Sequence, residues 1–429
     1  MIKKPFFSCG RPKLKYPVIQ SHEKETVEIP LPEKATVLFK RRYSDIDDID
    51  VDTLKVGDRV KTGQRISPHN TDDEYFISPV TGTVADISEF IGYLGLKYTS
   101  ISINTVEDEW DYEFKNISET VSPESAIKFL GSLPGCHDFF SFFNPATPLD
   151  TIIINGIDND LLVTTNQFVV ETRNEALKEG VAYLKKIFDA KQIILLIPPN
   201  LAAYTEKLGA EIRIVDPVYP AALPEMVITK LLNKIVPAGK RSEDIGVGFI
   251  SSEAVASLSD AFGQGKIPVD KIFTVINKDD SSVNMKARIG TPVKDVLESL
   301  NIDTEHGDRL VLGGPMRGQS IYSVDMPISA DTDAIMVQNR NQILLSSDVS
   351  CLNCGECVRA CPAKIPVNML IRLLENGLYE ETVHKYDLLS CIECGLCSYV
   401  CVARIPVFHF IMLGKYEFGR LKSMEEANV

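Results

Sequence analysis

Eight of the ten cysteines in this 429-residue chain fall into two short runs toward its C-terminal end. The first reads Cys351-x2-Cys354-x2-Cys357-x3-Cys361-Pro362, and the second Cys391-x2-Cys394-x2-Cys397-x3-Cys401. Thiols clustered in this way can serve zinc, disulfides or iron-sulfur clusters. A zinc site takes its four ligands from two Cys-x2-Cys pairs, which leaves the third and fourth cysteines of each run without a role. Disulfides belong to oxidising compartments, and no secretory leader is legible. The repeated 2-2-3 spacing instead matches the pattern that binds two [4Fe-4S] clusters, in which the fourth cysteine of each run ligates the other run's cluster. On that rule Cys351, Cys354, Cys357 and Cys401 hold one cluster, and Cys391, Cys394, Cys397 and Cys361 hold the second. Gly355 and Gly395, between the second and third cysteine of each run, remove a Cβ where the backbone must approach a cluster closely.

Composition narrows the partners. A net charge of -14 argues against nucleic acid, because binding phosphates takes clustered Lys and Arg. No stretch reaches the roughly 20 apolar residues of a membrane span, so a soluble protein is expected whose membrane connection runs through partners. Iron-sulfur thiolates call for a reducing compartment, most simply the cytoplasm.

Residues 1–45 are rich in Lys and Pro and read as an extended N-terminal arm, with Cys9 an isolated thiol. Residues 46–118 carry short β-runs punctuated by glycine, among them Val56-Gly57-Asp58-Arg59-Val60 and Ser78-Pro79-Val80-Thr81-Gly82-Thr83-Val84, and read as a small all-β unit. From 119 to 278 strands alternate with helices. Strands are expected at Thr151 to Gly156, ending in a turn, and at Gln192 to Ile197, Ile212 to Val215 and Ile245 to Ile250, with helices at Glu171 to Asp189 and Glu225 to Ile235. That order predicts a mostly parallel sheet. Residues 279–340 form a fourth unit around a helix from Val293 to Leu300, and 341–429 hold the cysteine runs. Between the runs, Pro366 opens a helix from Val367 to Leu374, Asn376-Gly377 breaks it, and Glu380 to Tyr386 reads as a second helix. Leu352, Val358, Ile392, Leu396 and Val400 are expected to shield the sulfides. Val402 stands where proline usually follows the fourth cysteine, which predicts a locally altered turn.

The β-unit resembles biotinyl/lipoyl-type barrel-sandwich modules, without a lysine placed for attachment. Ala287-Arg288-Ile289-Gly290-Thr291-Pro292 and Gly313-Gly314-Pro315-Met316-Arg317-Gly318 resemble the soluble-ligand-binding β-grasp (SLBB) domain. In this order, a barrel-sandwich module, an α/β domain like the complex I flavoprotein, an SLBB unit and an α-helical dicluster ferredoxin domain resemble the C subunit of Rnf-type electron transport complexes. The resemblance implies an α/β domain that holds FMN and NADH, and clusters that relay electrons to or from membrane-bound partner subunits.

Three departures bear on the flavin. The family's Gly-rich loop, roughly G-x-G-G-A-G-F-P-T, is replaced by Phe129-Leu130-Gly131-Ser132-Leu133-Pro134-Gly135-Cys136-His137-Asp138-Phe139-Phe140. Its acidic A-E-C-E-P becomes Gly156-Ile157-Asp158-Asn159-Asp160-Leu161, and its Y-P-x-G-G-E becomes Tyr219-Pro220-Ala221-Ala222-Leu223-Pro224-Glu225. A phosphate cradle needs glycines where side chains would block the amides, so FMN and NADH binding are not expected. Gly246-x-Gly248 and Gly263-x-Gly265 lack the third glycine of a dinucleotide fingerprint and read as turns. Asp158 and Asp160 read as a solvated turn, and Cys136 beside His137 as a core cysteine rather than a nucleophile. The function that follows is an electron-transfer subunit, not a self-contained catalyst, on the cytoplasmic face of the membrane. It would relay electrons between a soluble carrier such as ferredoxin and membrane subunits. Two alternatives stand beside it: an FMN-dependent NADH:acceptor oxidoreductase subunit, and a structural scaffold.

Overall fold

The computed structural model describes residues 12–19, 26–40, 53–67, 75–136, 138–143, 148–205 and 208–427. Cys9 and His137 lie outside the described residues.

Alternating side chains build the first sheet. Lys34–Lys40, Lys97–Thr105, Gly82–Ile91 and Arg59–Val60 pair antiparallel in that order. Ala35, Val60, Val84, Ile101 and Ile103 turn inward and are buried, as the period of two requires. A small ribbon, Arg65–Ile66 with Phe76–Ile77, adds Ile66 and Phe76 to the same core.

The second sheet is parallel, in the order Glu211–Ile214, Gln192–Ile197, Thr151–Asn155, Val247–Ser251. Its central strands are continuous apolar runs, buried on both faces as covered parallel strands must be. Helices Asn174–Ile187 and Ser252–Gln264 pack together on one face, where Gly180 lets them close: a Cβ there would lie 2.0 Å from the Val255 carbonyl oxygen. The expected helix from Glu171 to Asp189 is two helices, Thr165–Thr172 and Asn174–Ile187, because Arg173 leaves helical geometry at the joint. The helix expected at Glu225 to Ile235 shrinks to Pro224–Val227 and a wide turn at Ile228–Leu232, which Asn233 ends in the left-handed region. Gly246 and Gly265 are left-handed turn residues, Gly265 closing helix Ser252–Gln264.

The third sheet has six strands in the order Val27–Glu28, Ser282–Arg288, Asp270–Ile276, Ala334–Gln338, Arg309–Leu312, Gln319–Ile321. Helix Val293–Ser299 covers it through Val293, Val296 and Leu297. A boundary at 278 would assign Asp270–Ile276 to the parallel sheet. It instead pairs antiparallel along its whole length with Ser282–Arg288, because the short turn between them closes a hairpin. Val27–Glu28, from the N-terminal arm, pairs parallel with Met285 and Lys286 at the edge. Arg288 ties this sheet to the first, donating to the Pro79 carbonyl (2.7 Å) and to Asp108 (3.0 Å).

The C-terminal unit is helical: Glu356–Ala360, Val367–Leu374, Tyr379–Tyr386, Leu396–Val400 and Val407–Ala427. Leu370, Ile371, Leu374, Leu388 and Ile411 form its core. Among the described residues no helix is long and apolar enough to cross a membrane.

Candidate iron-sulfur site

Each cysteine run folds the same way. Asn353 (φ 53°) and Gly355 (φ 75°) curl the first loop through the left-handed region, and Glu393 (φ 55°) and Gly395 (φ 68°) curl the second. A short helix follows each loop and ends at an extended cysteine: Cys361 at φ -64°, ψ 121° and Cys401 at φ -65°, ψ 112°. Lys364 and Arg404 then turn left-handed with the same φ of 57°. The altered turn expected at Val402 is therefore absent, since Val402 leaves the backbone on the path that Cys361-Pro362 takes.

This folding brings the runs together crosswise. One cavity is lined by Cys351, Cys354, Cys357 and Cys401, and a second by Cys391, Cys394, Cys397 and Cys361. The other wall residues are mostly apolar, Ile371, Ile405 and Val407 around the first and Ile365, Ile392 and Ile411 around the second. None of the eight thiols is in a disulfide. Among the described residues, no group of three or more His, Cys, Asp or Glu could hold a lone metal ion. Four cysteines line each cavity, an arrangement that suits a cubane held by four thiolates.

The electrostatics suit the same group. Burial, reinforced by neighbouring thiols, pushes Cys357 and Cys394 up to about 12 and Cys397 well above its usual range. Cys401 is among the groups acting on Cys357, and Cys361 among those acting on Cys391 and Cys394. Metal ligation requires the thiolate, and iron held by these cysteines would supply the positive charge that favours their ionised form. The residues present therefore fit a [4Fe-4S] cluster in each cavity.

The two cavities differ in their surroundings. Cys351, Cys354, Cys357 and Cys401 are all partly exposed, and Leu352 is 61% exposed, so it shields the outer cavity less than its apolar side chain suggests. Cys361, Cys394 and Cys397 are buried. The inner loop is pressed against the third sheet's unit, since a Cβ on Gly395 would lie 2.3 Å from the Met316 carbonyl oxygen. It also meets the parallel-sheet unit, where the Tyr219 hydroxyl donates to the Cys394 carbonyl at 2.7 Å.

The three segments that depart from the flavin pattern are packed. In the first, Leu130, Leu133 and Phe139 are fully buried, and a Cβ on Gly131 would fall 2.0 Å from the Phe140 ring. Burial pushes the Cys136 thiol up to about 12, the reverse of an activated nucleophile. In the second, Asp158 and Asp160 are buried rather than solvated. Asp158 accepts from the Asn166 amide (2.8 Å), and Asp160 from the amides of Met316 (3.0 Å) and Arg317 (2.7 Å). These aspartates pin loops together, a role that sequence reading missed. Against the third lies the described stretch 12–19 of the N-terminal arm. The Tyr16 amide donates to the Pro217 carbonyl (3.0 Å), the Tyr219 amide to the Leu14 carbonyl (2.8 Å) and the Ala222 amide to the Tyr16 hydroxyl (3.3 Å). Helix Ser252–Gln264 starts with its first turn already satisfied: Ser251 accepts from the Ala254 amide, and Glu253 is buried in an ion pair with Lys271.

The fold and the paired cavities define an iron-sulfur protein, and residues 343–402 match the family model of the 4Fe-4S dicluster domain. The chain is also a relative of the C subunits of ion-translocating oxidoreductase complexes. It is 28% identical over 254 residues to the C subunit of the proton-translocating ferredoxin:NAD(+) oxidoreductase complex of Clostridium ljungdahlii, a match covering 57% of this chain and 55% of that one. It is 26% identical over 366 residues to the C subunit of the ion-translocating oxidoreductase complex of Pectobacterium carotovorum, covering 80% and 48%. The Rhodobacter capsulatus protein of that name is 25% identical over 307 residues, covering 66% and 59%. The match thus spans about half the length of these curated relatives. The resemblance drawn from the order of modules is borne out by them. Among solved structures, an NAD+-reducing [NiFe]-hydrogenase in the air-oxidized state aligns with a TM-score of 0.44 at 13% identity, over 72% of this chain and 69% of that one.

Proposed function

We propose that this chain is an electron-transfer subunit of an Rnf-type membrane oxidoreductase complex, and that it carries electrons through two [4Fe-4S] clusters. The observation that carries the reading is the crosswise grouping of cysteines. Cys351, Cys354, Cys357 and Cys401 would hold the outer cluster, and Cys391, Cys394, Cys397 and Cys361 the inner one. When bound, each cluster supplies one reversible electron at a potential that its surroundings set. The protein's part is to exclude water with apolar walls, fix the sulfurs, and seat the inner loop against Met316 and Tyr219.

The partly exposed outer cluster is the place where a soluble one-electron carrier, ferredoxin in our reading, would exchange electrons. The buried inner cluster would communicate with the rest of the complex. The chain would sit peripherally on the cytoplasmic face of the membrane, held by the other Rnf-type subunits. In this reading its modules are a barrel-sandwich unit, a flavoprotein-like α/β unit, an SLBB β-grasp unit beginning near Asp270, and the dicluster ferredoxin unit. The packed loop at Phe129 to Phe140, the arm against Tyr219, and Glu253 in the first turn of helix Ser252–Gln264 support a unit that binds neither FMN nor NADH. A buried carboxylate at a helix start opposes the negative charge of a phosphate.

Anaerobic mixing tests the reading. Reduced ferredoxin should bleach the cluster absorbance of the purified chain, and NADH alone should leave it unchanged. Bleaching by NADH without any added enzyme would contradict it.

A further inference from the structure

The two cysteine loops are alike in backbone but not in what donates to them. In the outer loop, the Cys354 carbonyl accepts from Arg359 (3.0 Å), a residue of the loop's own short helix whose side chain is largely exposed. Tyr399 stands at the matching place of the inner half, and the corresponding carbonyl, that of Cys394, accepts instead from the buried Tyr219 hydroxyl (2.7 Å) of the parallel-sheet unit. A second donor is also particular to the inner loop. Lys415, on the last helix, donates to the Cys391 carbonyl (2.7 Å) and pairs with Glu393 (2.7 Å), inside the left-handed turn between the two cysteines. The first half has Glu375 at the matching place.

We propose that Tyr219 and Lys415 are positioning residues that set the inner cluster's potential, acting through the carbonyls of Cys391 and Cys394. The proposal rests on the assignment of Cys391, Cys394, Cys397 and Cys361 as that cluster's ligands. A cluster gains negative charge on reduction, so donors and positive charge fixed at its ligand loop favour the reduced form and raise the potential. Tyr219 is buried and the Lys415 side chain is only partly exposed, so a fixed dipole or charge there counts for more than on the open surface. Glu393 offsets part of the Lys415 charge, but the ammonium stays in contact with the ligand's carbonyl. Tyr219 also ties the parallel-sheet unit to this cluster, so movement of the Tyr16–Tyr219 pair, whose rings lie 5.5 Å apart, reaches the cluster through one hydrogen bond.

The test is a redox titration, followed by electron paramagnetic resonance, of the full chain and three variants with iron counted in each. Tyr219→Phe keeps the ring and removes the donor. It should lower one of the two midpoint potentials, leave the other in place and retain the full iron content. Lys415→Met should lower the same potential, and Lys415→Arg should restore it. Unchanged potentials with iron retained would overturn the proposal. Loss of the inner cluster's iron in both Tyr219→Phe and Lys415→Met would also overturn it, since the donors would then serve only to hold the loop. A parent protein without two cubane signals would overturn the ligand assignment itself, a result distinct from either.

Discussion

Cys401 and Cys357 come from different cysteine runs yet line one cavity, and each run lends its last cysteine to the other. This exchange locks the helices that follow the runs into a single unit, because neither cavity has four thiols until both halves are folded.

Exchange predicts a crossed phenotype. Cys401→Ser should perturb the cluster of the first run, and Cys361→Ser that of the second. In each variant one paramagnetic signal should change and the other persist, with iron falling from about eight toward about four per chain if the weakened cluster is lost. Signals that change in the run carrying the substitution would contradict the crosswise grouping.

The Glu253–Lys271 pair predicts a large stability effect. Both side chains are almost wholly buried, the Glu253 carboxylate also accepts from the Ile272 amide (2.6 Å), and Asp333 lies 3.7 Å from the ammonium. Removing one partner strands a buried charge, at a cost of about 3–5 kcal/mol. Lys271→Met should lower the unfolding midpoint sharply, whereas Lys271→Met with Glu253→Gln should recover much of it. Equal midpoints for the single and double variants would argue against the pair.

Asp158 predicts a pH dependence of definite sign. Burial raises its carboxyl from 3.8 to about 6 against the pull of the Asn166 and Gln167 amides. The folded state therefore binds more protons than the unfolded state between those values, and its stability falls as pH rises through that window. At pH 7 ionised Asp158 costs about 3 kcal/mol relative to an unshifted group. Asp158→Asn, which keeps an acceptor for the Asn166 amide, should raise the melting temperature at pH 7.5 and narrow the gap between pH 5.5 and 7.5. A lower melting temperature at pH 7.5 would show that the charge is stabilising.

Gly395 and Gly377 are both left-handed, at φ 68° and 69°, but only Gly395 faces backbone, with nothing within 4 Å of a Cβ on Gly377. Gly377→Ala should cost about 1–2 kcal/mol from backbone strain alone. Gly395→Ala adds a collision with the Met316 carbonyl and should cost more, while increasing proteolysis between the third sheet and the helical unit. Equal effects would mean that this contact is not tight in solution.

Local signals were legible in the sequence, and long-range pairings were not. The cysteine spacing, the apolar run Ile152 to Ile154 and the amphipathic stretch Val367 to Leu374 each carry their meaning within a few residues. Asn353 and Glu393 gave no hint of their left-handed turns, because only closure around a cavity imposes that conformation on side chains that ordinarily avoid it. Tyr16 sits in a Lys- and Pro-rich arm whose composition resembles a solvated tail, and its partner Tyr219 is too distant in the chain for any periodicity to link them. The same holds for Val27–Glu28, a two-residue strand defined only by the edge it joins. Asp158 and Asp160 looked exposed because acidic residues in a turn usually are, whereas in the fold donors such as the amides of Asn166, Met316 and Arg317 satisfy them in burial.

The most direct test of the account is iron, acid-labile sulfide and flavin measured on one anaerobically purified sample. The account predicts about eight irons and eight sulfides per chain, as two cubanes require, with no FMN. Stoichiometric FMN, or zinc in place of iron, would contradict it.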